Sequence, residues 1–172
     1  MIDFSLTDEQ KMLVEMTRSF VEQEMLPHEE TLERTDTLPP ELAAALKKQA
    51  MELGLHACNL PEEVGGGGLD AVSVMLIEKE LGRTSLALAE CAHRPLNILA
   101  ACEGEQVTQF LEPTIKGEKR DCIAMTEPGA GSDLRGMKCK AVCDGDEWVI
   151  SGEKHFISQA SVSDYCVLFA AT

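Results

Sequence analysis

Nine consecutive residues, Met125-Thr126-Glu127-Pro128-Gly129-Ala130-Gly131-Ser132-Asp133, hold the densest set of groups able to do chemistry. Hydroxyls, carboxylates and glycines fall within a few positions. Successive free backbone amides in such a turn form a concave anion site. Gly129 and Gly131 let a phosphate reach the main chain without a Cβ in the way. A dinucleotide fingerprint needs a third glycine at the right step and a helix directly after. Here Leu134 follows and the next segment reads as a strand, so a Rossmann site is disfavoured. By spacing alone, a solvent-exposed turn between strands is as good a reading as an anion site.

A second stretch, Trp148-Val-Ile-Ser-Gly-Glu-Lys-His-Phe-Ile-Ser158, reads as a hairpin followed by a strand over 154–158. In such a strand Phe156 and Ser158 share one face. Together they offer a flat aromatic surface and a hydroxyl donor to one planar ligand. His155 then points the other way, and no catalytic role is expected for it. Trp148 reads as hairpin packing. His28, His56 and His93 have no matched carboxylates and read as surface or capping residues. The cysteines 58, 91, 102, 122, 139, 143 and 166 are odd in number and sit singly in apolar stretches. Reduced thiols in a cytosolic protein fit this better than a disulfide framework. Cys139 and Cys143 lack the further ligands a structural zinc needs and read as inward-facing strand residues.

The elements that must position these groups come in two blocks. The first 120 residues read as helical. Thr7-Asp8-Glu9-Gln10 is a capping box, and Leu13, Met16, Phe20 and Met25 predict a buried face on a helix over 8–26, ended by Pro27. Residues 28–38 read as a loop. A second helix starts at Pro40, buries Leu42, Leu46, Ala50 and Leu53, and is capped by Gly54. Gly65 to Gly68 read as a flexible loop, or as backbone able to approach a ligand. Helices over 70–81, 85–101 and 105–115 follow. From 121 the pattern changes to strands: 121–126, 137–144, 147–151 and 165–171, with Asp144-Gly145-Asp146 as a hairpin turn. Helices first and then antiparallel strands is an α+β order.

Composition limits the partners. The 172 residues carry a formal charge of −15, which disfavours nucleic acid, and 44% hydrophobic residues, enough for a packed core. No apolar run approaches the ~20 residues of a membrane span. The start of the chain lacks the basic and apolar regions of a secretory signal. A cytoplasmic location is expected.

Taken together, the Thr126–Asp133 motif and the Trp148–Ser158 motif about twenty residues later resemble the acyl-CoA dehydrogenase family. The resemblance extends to Phe4-Ser-Leu-Thr-Asp-Glu-Gln10, Leu60-Pro-Glu-Glu-Val-Gly-Gly66 and Glu78-Lys-Glu-Leu-Gly-Arg83. It implies a flavoenzyme with an N-terminal helical domain (1–120) and a middle β-domain of which residues 121–172 are the first, incomplete part of an antiparallel barrel. The family's C-terminal helical bundle has no counterpart in these residues.

The resemblance also implies roles. Ile123, Ala124, Met125 and Thr126 would line FAD, with Thr126 bonded to the pyrimidine side of the isoalloxazine. Gly131 and Ser132 would meet the pyrophosphate, and Ser132 would also lie close to the acyl-CoA thioester. Phe156 would pack over the ring system beside Ile157, and Ser158 would donate toward flavin N5. Position 156 is often Trp in the family and position 123 often aromatic. The implied reaction is α,β-dehydrogenation of an acyl-CoA to the 2-enoyl-CoA, with the hydride passing to FAD. Its carboxylate base comes from downstream in the family, so no catalytic residue is assigned here.

The implied partners are an acyl-CoA substrate, an electron-transfer flavoprotein as acceptor, the missing C-terminal region or a partner chain that supplies it, and further subunits of a homo- or hetero-oligomer. Two alternatives stay open: a superfamily flavin oxidase or monooxygenase portion, and a non-catalytic association module. The isolated chain is expected to be inactive. With the apolar strand 165–171 as an unpaired edge and an apolar patch on the helical domain, it is also expected to associate or aggregate.

Overall fold

The computed structural model describes residues 5–92 and 94–172. Phe4 of the opening motif and His93 lie outside the described residues. The chain divides into two units, Met1–Gly117 and Glu118–Thr172.

In the first unit α1 (Asp8–Phe20) starts at the expected capping box: Thr7 Oγ1 accepts from Gln10 N, and Gln10 Oε1 accepts from Thr7 N. The expected stop at Pro27 is not a stop. The helix widens into a π turn (Val21–Met25), tightens into a 3-10 turn (Leu26–His28) and continues as α2 (Glu29–Thr35). The change of pitch lets a residue without an N–H sit in the first turn of a new segment, where no donor is required. Asp36, at φ 49°, ends the run instead.

α3 (Pro40–Glu52) begins as expected. Its C-terminus is a Schellman closure: Gly54 (φ 71°) donates to Met51 O and Leu55 N to Ala50 O. Leu46 and Ala50 are buried, whereas Leu53 is exposed. Asp70 caps α4 (Ala71–Leu81) through the amides of Val72 and Ser73. The long helix expected over 85–101 is broken into α5 (Leu86–Ala89) and two 3-10 turns, Glu90–Ala92 and Asn97–Ala101. Pro95 lies between them; it cannot donate and it excludes the helical conformation before it. A π turn (Val107–Leu111) and α6 (Glu112–Ile115) complete the unit.

α1 packs on α4 and α3 on the Glu90–Ala92 turn. Between them Phe20, Val21, Met25, Leu46, Ile77 and Leu88 form the core. Glu80 is buried there, and its carboxylate is held by Arg18 (2.8 and 3.0 Å) and Arg83 (3.1 Å). The Arg18 hydrogen bond holds its pKa below the usual range against the opposing effect of burial.

The Gly65–Gly68 stretch is not a flexible loop. Gly66, Gly67 and Gly68 donate to Pro61, Ala57 and Leu60 carbonyls, and Leu69 donates to Cys58 O. A Cβ on Gly66 would lie 2.2 Å from the Leu60 carbonyl oxygen, and one on Gly67 would lie 2.9 Å from Cys58 Cα. The glycines let two pieces of backbone touch, which is packing and not a ligand cradle.

The second unit holds β1 (Asp121–Ala124), β2 (Lys140–Asp144), β3 (Glu147–Ser151) and β4 (Tyr165–Leu168). β2 and β3 are the expected antiparallel hairpin. β1 and β4 pair in parallel, Asp121 opposite Tyr165 through Ala124 opposite Leu168. The expectation of antiparallel strands throughout therefore fails for this pair. The intervening residues supply the long crossover that parallel pairing needs. β4 has β1 beside it, and Ala171 continues onto β2 by exchanging bonds with Cys139 and Ala141. Cys139 is buried but Cys143 is exposed, so only the first of the two is inward-facing.

Candidate functional site

β1 delivers the chain into the signature turn. Its side chains alternate: Cys122 and Ala124 are buried, and Ile123 is 37% exposed. Met125 and Thr126 are half-buried. Glu127 and Ala130 then close a tight turn with two backbone bonds, 2.9 and 3.2 Å, and Pro128 and Gly129 at its tip. Gly131, Ser132 and Asp133 are exposed. Asp133 bends the chain back by capping the 3-10 turn Leu134–Gly136. A Cβ on Gly129 or Gly131 would meet nothing within 4 Å. Unlike Gly66, these glycines leave the main chain open on one side.

Glu127 is a side chain whose role the sequence did not reveal. It is 5% exposed, and its carboxylate accepts from Lys138 N (2.7 Å), Cys139 N (2.9 Å) and Lys154 Nζ (2.8 Å). Lys154 Nζ also donates to the Met125 carbonyl at 3.0 Å. The Lys154 ammonium, then the Lys138 amide, hold the Glu127 carboxyl down to about 2. A carboxylate this weakly basic is a structural anchor and a poor proton acceptor. The only available signal was a Glu and a Lys in two separate motifs, and nothing in spacing predicts that they meet.

The 154–158 segment is not the strand expected. It is irregular, and Phe156 has φ 57°. Without regular alternation the shared face of Phe156 and Ser158 no longer follows. His155 does not point away from Phe156; the two rings stack with centroids 4.0 Å apart. What holds the segment is the Lys154 ion pair and one backbone bond, His155 N to Thr126 O at 3.0 Å. Thr126 is thereby brought against His155, the residue that precedes Phe156 and stacks on its ring. Phe156 is 86% exposed, Ile157 half-buried and Ser158 exposed. A bulky residue in the left-handed region is rare and costs about 1–3 kcal/mol. Among the described residues no His/Cys/Asp/Glu group has the arrangement of a metal site.

Residues 7–118 match the acyl-CoA dehydrogenase N-terminal domain, and residues 122–172 match the acyl-CoA dehydrogenase middle domain. The chain belongs to the acyl-CoA dehydrogenase family. A probable acyl-CoA dehydrogenase of Bacillus subtilis (strain 168) is 38% identical over 170 residues, covering 95% of this chain and 28% of the relative. The CarC subunit of a caffeyl-CoA reductase-Etf complex from Acetobacterium woodii is 31% identical over 172 residues, covering 96% of this chain and 44% of the relative. Among solved structures, an acyl-CoA dehydrogenase complexed with FAD from Bacillus anthracis superposes with a TM-score of 0.77 at 33% identity, covering 96% of this chain and 29% of that one. The chain thus spans less than half the length of these relatives. No helix among the described residues is long and apolar enough to cross a membrane.

Proposed function

We propose that the chain carries the helical and flavin-facing β portions of an FAD-dependent acyl-CoA dehydrogenase, with residues 1–120 and 121–172 as its two domains and β1–β4 as part of a barrel. The observation that supports this best is the stapled turn. Lys154, Glu127 and the Thr126–His155 backbone bond tie the segment that carries an exposed aromatic ring to the start of a glycine turn whose main chain is open. An aromatic surface, exposed hydroxyls and an open glycine backbone suit a planar ring joined to a pyrophosphate.

In this reading Ile123, Met125 and Thr126 line the flavin, with Ala124 as buried support. Gly131 and Ser132 take the pyrophosphate, and Ser132 also meets the acyl-CoA. Phe156 and Ile157 cover the ring, and the Ser158 hydroxyl donates to it. Bound there, FAD supplies the acceptor for the hydride that leaves the β carbon of a CoA thioester. These residues orient the two partners and present fixed donors. They do not supply the base: Glu127, the carboxylate of the turn, is already bound by three donors. The base comes from outside the 172 residues. The Etf-complex relative supports an electron-transferring flavoprotein as acceptor, within an oligomer.

The test is flavin binding to the purified chain by absorbance and fluorescence, followed by turnover with saturated acyl-CoA esters and an electron-transferring flavoprotein. Flavin binding without enoyl-CoA formation is expected. Absence of binding overturns the site, and turnover by these residues alone overturns the assignment of the base.

A further inference from the structure

β1 and β4 place Cys122 directly opposite Cys166 in the parallel register. Residues paired in register across neighbouring strands point to the same face, and strand spacing of about 4.8 Å lies within the Cα separation that a disulfide spans. Both thiols are free, and each is the in-register neighbour of the other. Cys166 is exposed, whereas Cys122 is 8% exposed. An accessible thiol backed by a buried one is the arrangement of an attacking and a resolving cysteine.

We propose that Cys122 and Cys166 are a redox modification site that a peroxide converts to a cross-strand disulfide. The Cys166 thiolate attacks one peroxide oxygen, the O–O bond breaks, and Cys166 becomes a sulfenic acid as the first water leaves. The Cys122 thiolate then attacks that sulfur and expels the hydroxyl, which leaves as the second water with the remaining thiol proton. Two thiols lose two electrons and hydrogen peroxide gains them. The product ties β4 to the strand that runs into the Met125–Ser132 turn. Partial desolvation beside the neighbouring strand, then Cys122 itself, hold the exposed Cys166 thiol above its ordinary range, so the conversion is slow near neutral pH.

The test is treatment of the purified chain with hydrogen peroxide, followed by intact mass and non-reducing peptide mapping. The expected result is a loss of about 2 Da, a peptide joining Cys122 to Cys166, reversal by dithiothreitol, and a Tm raised by roughly 5 °C through closure of the intervening loop. Cys122→Ser and Cys166→Ser each abolish the linked peptide. A gain of oxygen at Cys166 without linkage, linkage through any other cysteine, or a disulfide between chains overturns the proposal. The wild-type peptide map decides this even if a serine variant folds poorly.

Discussion

Lys154 Nζ sits 2.8 Å from Glu127 Oε1 and 3.0 Å from the Met125 carbonyl, and both side chains of the pair are more than nine-tenths buried. With the His155 N–Thr126 O bond, this contact joins the two motifs that stood about twenty residues apart in the sequence. A buried pair of this kind is costly to break, because the remaining charge has no water to fall back on. Lys154→Met is therefore expected to lower Tm by roughly 10 °C and to weaken FAD binding. The double variant Lys154→Met/Glu127→Gln should lose less than the sum of the two single losses, as for any coupled pair. Thermal melts of the three variants check this; strictly additive losses would show that the pair is not coupled.

The same pair sets an acid limit. The Glu127 carboxyl is held at about 2, against an ordinary value of 4.5. A depressed folded-state pKa contributes stability that is fully present above 4.5 and is lost as pH falls toward 2. The difference in Tm between wild type and Glu127→Gln should therefore shrink as pH is lowered from 6 to 2. Melts across that range test it, and a constant difference would mean that Glu127 does not carry the effect.

Two classes of glycine should separate cleanly. Gly66→Ala drives a Cβ to 2.2 Å from Leu60 O and is expected to cost at least about 2 kcal/mol of stability. Gly129→Ala and Gly131→Ala meet no atom within 4 Å and should leave stability nearly unchanged. They should instead weaken FAD binding by about 10-fold, a loss near 1.4 kcal/mol. Denaturant titration beside flavin titration measures both; a stability loss at Gly131 without a binding loss would place that glycine in the packing class.

Phe156 combines 86% exposure with φ 57°. Phe156→Gly removes a ring with little burial to lose and relieves the left-handed strain. Stability should change by less than about 1 kcal/mol while flavin binding falls. A large destabilisation would mean that the ring serves the fold and not a ligand.

Local signals were the legible part of this chain. The Thr7–Gln10 box, the Gly54 cap and the helix-then-strand order all follow from neighbours within a few residues. What escaped was non-local. Pro27 reads as a stop because spacing does not announce a π turn before it. Four glycines read as flexible because the backbone that Gly66 and Gly67 must touch, at Leu60 and Cys58, is folded back by other residues. The 154–158 segment reads as a strand by composition, yet an ion pair and one backbone bond fix it in another shape. The residues proposed to face the flavin stood out in the sequence; those that hold them in place did not.

The most direct test is titration of FAD into the isotopically labelled chain, followed residue by residue by amide NMR. Shifts centred on Thr126, Gly131, Ser132, Phe156 and Ser158, and lost in Lys154→Met, are the predicted result. Saturable binding with shifts confined to the helical unit, or no binding at millimolar FAD, would contradict the assignment of this turn as the flavin site.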